Sequence, residues 1–460
     1  MDKGRFSKAY YVLKAYCRFT LRRYYRKYQV VGHDTHVTKG VPIIFAPNHQ
    51  NALIDPINAA SASLMDRQPS FLTRSDVFVS WAIPFFNVLK MKPIYRQRDG
   101  VDSLEKNKKI FEECVERLSF NESLIIFPEG NHGRPRKLRP LKKGAARIAF
   151  QAAEANQFEF PLELVPVGLN YNQHRKFHND MLVVFGESIP LSDYYELYHQ
   201  NSGKAILQLT KDLRKRISKY MVHIMNAEHY DTINDLRTIL SAEVVQAQSR
   251  NMANLHHHLL AQQDMVAVME AKAESDPESM KALGPKVQTY MKGLQDLRFR
   301  DHVVAKAPYS LGSLLLQSVG VLLGLPLHLY GVINNYHIYK TCEQLTLKIF
   351  KDDHFHSSVM FASGMVLFPL SYLIQFGIVW GLTDIWVGLL YLISLPLSGE
   401  FAVWYSEQVK KWWSRWRHWN LKRKQNPLLK QLTNFRQEFS TTILSWLEEE
   451  TQERVVTDKK

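Results

Sequence analysis

Three uncharged stretches toward the carboxyl end most restrict what this chain can fold into. Leu311–Ile333 runs for 23 residues without Asp, Glu, Lys or Arg, and Ser357–Thr383 for 27. After Asp384 the chain is apolar again from Ile385 to Gly399, before Glu400. About 20 apolar residues in a helix cross the hydrocarbon core of a bilayer, where backbone groups must bond to one another. A membrane region is therefore expected over 306–405, with candidate helices at 311–333, 357–383 and 385–403. Residues 406–460 are expected to be a basic, Trp-rich cytoplasmic tail. Seven Lys or Arg between Lys410 and Lys424 interleave with Trp412, Trp413, Trp416 and Trp419, an aromatic belt joined to a positive flank.

The amino-terminal part is basic as well. Both ends are expected on the cytoplasmic side, which requires an even number of crossings. Gly320, Gly324 and Pro326 mark Leu311–Ile333 as a re-entrant or kinked hairpin in that scheme, with the other two stretches as true spans. The first 28 residues hold nine Lys or Arg, one Asp and eight aromatics. No apolar run of signal-peptide type follows the basic residues. Residues 1–40 are expected to include an amphipathic helix at the membrane interface, its cations on anionic lipid. The alternative is a helix packed on the neighbouring domain by its aromatics.

Apolar residues make up 45% of the chain and charged residues 22%, which excludes disorder as the main state. Fifty-nine Lys and Arg against 44 Asp and Glu leave a net charge of +15. The excess points to nucleic acid, anionic lipid or a phosphorylated substrate. Its clustering beside hydrophobic spans favours lipid, and no nucleic-acid partner is expected. Cys17, Cys114 and Cys342 lie far apart, so neither a disulfide framework nor a metal site follows from them.

Between the two basic ends the pattern changes twice. From 41 to 191 short apolar runs alternate with helical stretches. Val41–Pro47, Ser70–Thr73, Pro93–Tyr95, Leu124–Phe127, Leu164–Val167 and Leu182–Phe185 read as strands, and Ser103–Leu118 and Lys143–Ala155 as helices. That alternation predicts an α/β domain with a mixed sheet flanked by helices. Residues 192–305 read as a charged helical extension, with Ile206, Leu209, Leu213, Ile217 and Met221 at helical spacing and breaks at Ser275–Pro277 and Gly284–Pro285.

The chemistry-bearing residues lie in the α/β stretch. His49 follows the first strand and Asp55 lies six residues on, the minimum for general-base chemistry. Glu129 and Gly130 follow the strand that ends at Phe127. Sites in open α/β sheets gather at the carboxyl ends of strands, so both pairs are expected on one edge. Arg96 follows another strand. Lys142 and Gly144 open a helix, whose amino terminus attracts anions.

Together these residues resemble the ordered blocks of the glycerol-phosphate acyltransferase superfamily. The resemblance is carried by His49 with Asp55, Arg96 after Pro93-Ile94, Phe127-Pro128-Glu129-Gly130 with Leu138, Lys142 and Gly144 behind it, and Val165-Pro166-Val167-Gly168. It covers about residues 41–190. The Asn-rich turn after His49, His132 with Arg134-Pro135, and Gly168-Leu169-Asn170-Tyr171 are most similar to the yeast-type glycerol-3-phosphate/dihydroxyacetone-phosphate acyltransferases. Two features depart from the common pattern. Five residues separate His49 from Asp55 instead of four, and Asn131 stands where many members carry Ser or Thr. On a continuous helix the extra residue would turn Asp55 by about 100°, so His49 is expected in a loop that absorbs it.

The resemblance implies direct acyl transfer from acyl-CoA or acyl carrier protein, with no covalent intermediate, bound cofactor or metal. His49 would be the base and Asp55 its orienting partner. Arg96 and Lys142 would hold the acceptor phosphate, Glu129 would bind a glycerol hydroxyl or brace the loop, and N–H groups near Gly130 would face the oxyanion. The acceptor is glycerol 3-phosphate, with dihydroxyacetone phosphate as a second possibility and lysophosphatidate as the alternative reading. A non-catalytic membrane scaffold is the further alternative. The catalytic domain of an integral membrane protein of this kind is expected on the cytoplasmic face.

Overall fold

The computed structural model describes residues 6–75, 78, 83–95, 103–131, 133, 135–173, 177–349 and 355–457. The chain divides into two compact units, Met1–His223 with Asp352–Ser358, and Ile224–Lys351 with Val359–Lys460.

The first unit is built on an eight-stranded mixed sheet. Its strands are β1 (Lys27–Val31), β2 (Ile43–Pro47), β3 (Ser70–Arg74), β4 (Met91–Ile94), β5 (Ser123–Ile125), β6 (Glu163–Tyr171), β7 (Asp180–Phe185) and β8 (Ile189–Pro190). They run in the order β1-β7-β6-β2-β5-β3-β4, with β8 on β6. The block β6-β2-β5-β3-β4 is parallel throughout, and β7 and β8 pair antiparallel to β6. All five residues of β2 are buried, as expected of a central strand covered on both faces. The short helix α3 (Ile83–Val88) precedes β4, and one face of the sheet carries α4 (Ser103–Ser119), α5 (Gly144–Ala155), α6 (Tyr195–Gln200) and α7 (Ser202–Ser218). Ile44, Leu124 and Leu164 of the sheet meet Leu118, Phe150, Leu209 and Leu213 in one core there. The other face carries α2 (Ile54–Ala62), with α1 (Lys8–Tyr24) packed against it. Ala59, Ala60 and Ala62 are buried and small, which lets α2 lie close on both sides.

The boundary drawn at Leu191 from sequence moves outward at both ends. α6 and α7 belong to the sheet unit because Leu209, Leu213 and Ile217 complete its core. α1 belongs to it as well. The Tyr10 hydroxyl donates to the Pro69 carbonyl at 2.9 Å, and Tyr10, Lys14, Cys17, Leu21 and Tyr24 are buried. Lys8, Tyr11, Val12, Phe19, Arg22 and Arg23 stay exposed on the outer side. The aromatics thus divide between packing on the domain and facing outward.

Lys14 is the unusual member of the inner side. Its Nζ donates to Ser63 Oγ (2.8 Å) and to the carbonyls of Leu64 (2.6 Å) and Arg67 (2.8 Å). Burial, with the Arg18 charge adding to it, pushes the amine down to about 7.

In the second unit, α8 (Tyr230–Ala247), α9 (Leu255–Ser275), α10 (Pro277–Asp296), α11 (Asp301–Ala305) and α15 (Pro427–Thr457) pack as a bundle. Asp276 caps α10 through its side chain, with Pro277 at the first helical position, so this predicted break is present. Gly284–Pro285 does not break the helix, which continues through Pro285. Tyr290 and Phe439 meet edge-on at 5.7 Å, and Arg436 bonds Asp301 at 2.9 Å and also Glu243. The tail is therefore not a separate stretch. Residues 406–423 continue one long helix, and α15 packs into the bundle.

Among the described residues three helices are long and apolar enough to cross a membrane: α12 (Leu311–Ile349), α13 (His356–Leu382) and α14 (Ile385–Arg423). The hairpin expected at Leu311–Ile333 is corrected. α12 is one continuous helix of 39 residues with Pro326 inside it. A proline removes one i→i−4 hydrogen bond, which apolar surroundings and neighbouring helices tolerate. At 1.5 Å per residue α12 and α14 each span about 58 Å, longer than the ~30 Å hydrocarbon core. Polar side chains join the three: Tyr391 Oη donates to Asn334 Oδ1 (2.6 Å) and Gln375 Oε1 (3.0 Å), and Tyr372 Oη to Asn335 Oδ1 (2.7 Å).

The depressed Lys14 amine has a consequence for stability. The unfolded chain keeps lysine protonated to about pH 10.4, whereas the folded chain releases that proton from about pH 7. The unfolded state therefore binds more protons within that window, and stability rises with pH across it. The melting temperature of the protein in detergent should climb between pH 7 and pH 10, and Lys14→Met should flatten the climb. An identical slope in the variant would remove Lys14 as its source.

Candidate active site

His49 sits two residues beyond β2, in a loop, as the spacing to Asp55 requires. Helix α2 begins only at Ile54, so Asp55 lies in its first turn, where the helix dipole favours a carboxylate. The extra residue between His49 and Asp55 is taken up by Ala52, whose φ of +33° is unusual for a residue with a side chain. The Ile54 N–H donates to Asn51 O (3.2 Å) and Ser358 Oγ (2.9 Å), which fixes where the helix starts.

The loop closes on Asp55. Its carboxyl is fully buried, and Oδ2 accepts three donors: His49 Nδ1 (2.8 Å), Gln50 N–H (2.8 Å) and Asn51 N–H (2.7 Å). The phenol of Tyr171, at the end of β6, donates to Oδ1. With Nδ1 turned to a carboxylate, neutral His49 carries its proton there and leaves Nε2 as the basic nitrogen. The ring lies beside Phe127, with centroids 4.3 Å apart, and is 15% exposed. It is thus sheltered without being sealed.

Glu129 follows β5, the parallel neighbour of β2, so both residues reach the same sheet edge. Its two oxygens are occupied by the protein. Oε1 accepts the His49 N–H at 2.7 Å, and Oε2 accepts Arg139 N–H (3.1 Å) and Nε (3.2 Å). Of the two readings open from sequence, the geometry supports bracing. Gly130 has φ +70°, a conformation a side chain resists, and its N–H donates to Phe127 O at 3.1 Å. That N–H closes a turn, which leaves the expected oxyanion contact to other N–H groups near Gly130.

Lys142 is exposed, and its backbone N–H donates to Pro128 O at 2.7 Å. Gly144 is the first residue of α5, and among the described residues no side-chain cap is present at that helix amino terminus. The pair thus presents a cation beside uncapped N–H groups, an arrangement suited to an anion. Arg96 lies outside the described residues, as do His132 and Arg134.

Sequence reasoning gave no role to four residues that the structure ties to the site. Asn48 clamps β6: its Oδ1 accepts Leu169 N–H (2.6 Å) and its Nδ2 donates to Leu169 O (3.2 Å). Arg139 pairs with Glu129, and Arg136 Nη2 holds the carbonyls of Tyr171 (2.7 Å) and Asn172 (3.0 Å). Tyr171 appeared only as part of a motif. Gly168 in that motif permits a close approach, since a Cβ there would lie 1.9 Å from the Tyr220 carbonyl oxygen. Among the described residues no cluster of three or more His, Cys, Asp or Glu is placed to hold a metal. Burial pushes the Cys17 and Cys114 thiols up to about 11 and about 12, which leaves both poor nucleophiles.

Residues 29–170, a segment that contains His49, Asp55 and Glu129, match the family model described as Acyltransferase. Glycerol-3-phosphate O-acyltransferase 1 of Saccharomyces cerevisiae is 23% identical over 231 residues, 49% of this chain and 29% of that protein. Glycerol-3-phosphate O-acyltransferase 2 of the same yeast is 27% identical over 209 residues, 43% of this chain and 26% of that protein. The chloroplastic 1-acyl-sn-glycerol-3-phosphate acyltransferase BAT2 of Brassica napus is 24% identical over 152 residues, 32% of this chain and 40% of that protein. The chain thus spans under a third of the length of the two yeast relatives. Among solved structures, the 1-acyl-sn-glycerophosphate acyltransferase PlsC of Thermotoga maritima aligns at 18% identity and a TM-score of 0.30, over 45% of this chain and 80% of that one.

The donor count on Asp55 sets a stability order. Asp55→Ala leaves buried donors from His49, Gln50, Asn51 and Tyr171 unanswered, at a cost of about 2–4 kcal/mol. His49→Ala removes one donor from a carboxylate that keeps three. Thermal unfolding should rank Asp55→Ala clearly below His49→Ala, and the reverse order would show that the network does not hold the loop.

Proposed function

We propose that the chain is a membrane-associated glycerolipid acyltransferase that acylates glycerol 3-phosphate, with dihydroxyacetone phosphate as a possible second acceptor. The observation that carries this reading is the His49–Asp55 pair at 2.8 Å, held at a strand edge inside an acyltransferase-family segment. His49 Nε2 takes the proton from the acceptor hydroxyl as that oxygen attacks the thioester carbonyl carbon. The tetrahedral oxyanion collapses, the carbon–sulfur bond breaks, and the thiolate leaves with the proton returned from His49. Asp55 fixes the tautomer and offsets the charge of the imidazolium. No bound cofactor or metal enters this scheme. The acyl thioester, of coenzyme A or of acyl carrier protein, is a co-substrate.

Acceptor phosphate binding is assigned to Lys142, the α5 amino terminus at Gly144, and Arg96. Glu129 braces the His49 loop, and Gly130 supplies the turn that carries it. Three helices of membrane-crossing length and the apolar, cationic outer side of α1 support a phospholipid bilayer as partner. Basic residues in the amino-terminal part support a sheet unit on the cytoplasmic face. Acylation of lysophosphatidate is the second reading. It is favoured by the plant relative, which is named for that reaction.

The test is acyl transfer by purified protein in detergent, with palmitoyl-CoA or palmitoyl-acyl carrier protein as donor and either glycerol 3-phosphate or lysophosphatidate as acceptor. Lysophosphatidate formed from glycerol 3-phosphate, and lost in His49→Ala with its fold retained, is the expected result. Phosphatidate formed only from the lysolipid would establish the second reading. Activity retained in His49→Ala would overturn the base assignment, and no product with either acceptor and either thioester would favour the scaffold. Arg96→Ala should raise the acceptor KM about tenfold or more with kcat less affected. An unchanged KM would remove Arg96 from the phosphate site.

A further inference from the structure

We infer that Tyr171 is a positioning residue that sets the basicity of His49 through Asp55, making the functional unit a three-residue chain. The inference concerns the site proposed above and rests on that reading for its kinetic part.

The two oxygens of Asp55 are treated differently by the fold. Oδ2 takes His49 Nδ1 and two backbone N–H groups from the loop that carries His49. Among the described residues, Oδ1 takes one donor, the Tyr171 phenol. The carboxyl is wholly buried, so no bulk water substitutes for that donor. A hydroxyl bonded to a carboxylate draws negative charge onto itself, which weakens what the carboxylate offers an imidazolium. It also blocks rotation of the carboxyl, and so holds Oδ2 toward His49.

Tyr171 is itself held in place. Arg136 Nη2 donates to its carbonyl at 2.7 Å, and its hydroxyl accepts Asn58 Nδ2 at 3.1 Å. Asn58 Nδ2 also donates to Tyr25 Oη at 2.9 Å, and the Tyr28 hydroxyl bonds the Asn58 carbonyl at 3.3 Å. Burial, followed by the Asp55 charge, keeps the Tyr171 phenol well above its ordinary range, and burial raises Tyr25 and Tyr28 likewise. All three are neutral phenols throughout the range in which histidine titrates. The charged groups facing the chain are Arg136 at Tyr171, and Glu129 with its Arg139 at the His49 backbone.

Removing the phenol oxygen should therefore raise the His49 pKa, because Asp55 then concentrates its charge on the imidazolium. A bond to a charged group corresponds to a shift of about one pH unit. A residue that merely filled space would lower the melting temperature and leave the titration where it was.

The experiment compares full-length wild type with Tyr171→Phe in detergent, by two readouts. The first is the acid limb of kcat/KM for acyl transfer, expected to move upward by about one pH unit. The second needs no turnover: the pH dependence of diethylpyrocarbonate modification of His49, resolved by peptide mass spectrometry, expected to move the same way. 3-Fluorotyrosine at position 171 retains the side-chain shape, strengthens donation and should move both limbs downward, so the test survives a Phe variant that folds poorly. Unmoved His49 titration in a folded Phe variant, or in the fluorotyrosine protein, overturns the inference. A shifted modification curve without any acyl transfer would uphold the Tyr171–Asp55–His49 coupling and sink the acyltransferase reading instead.

Discussion

The buried carboxylate of Asp55 is the interaction on which the rest of the site depends. A lone carboxylate in a protein interior is costly, and the cost is offset only when hydrogen bonds surround it. Here the acceptor sits at the start of α2, and its donors come from two other places in the chain, the loop 49–51 and the far end of β6. Satisfying one charge therefore organises a loop, a helix and a strand together. The φ of Ala52 shows the local strain this tolerates.

The same loop is held from its other side. Glu129 accepts the His49 N–H while Arg139 holds the opposite oxygen, so β5 positions the backbone of the residue that β2 presents. Asn48 then ties the start of the loop to β6. These restraints come from the two strands that flank β2, and all three run parallel. Parallel strands bring their carboxyl ends to one edge, and that edge is where residues 48, 49, 129 and 171 meet.

Legibility in the sequence followed the range of the interaction. Buried central strands were readable, because runs such as Ile43–Pro47 and Leu164–Val167 are apolar without alternation. The His49 loop was readable from the count of residues to Asp55. Tyr171 was not, since its bond to Asp55 joins residues 116 apart and nothing local marks a buried tyrosine as a donor. α1 was half readable. Its aromatic and basic make-up is visible, but Lys14, counted among the interfacial cations, is buried against three acceptors. The hairpin at Leu311–Ile333 gave too much weight to Pro326 and to an even number of crossings. Local helix geometry prevailed over a parity argument drawn from charge.

The charge count misled for a related reason. A net charge of +15 reads as a surface prepared for a polyanion, yet several cations of the sheet unit are structural, two of them at the site and two at the opposite sheet edge. Arg136 is buried on two carbonyls, Arg139 lies on Glu129, and Arg117 forms a buried pair with Glu122 at 2.7 Å. Arg67 holds the Val41 carbonyl and Ser123 Oγ at the base of β2 and β5. An arginine fork suits such duties because it satisfies several oxygens at once. Lys142 differs: it is exposed, and it stands next to a helix end without a side-chain cap. The fold thus separates cations that hold the His49 loop in shape from a cation beside the open α5 terminus. Lys142, beside the equally exposed Lys143 that precedes α5, has a setting that resembles a phosphate contact.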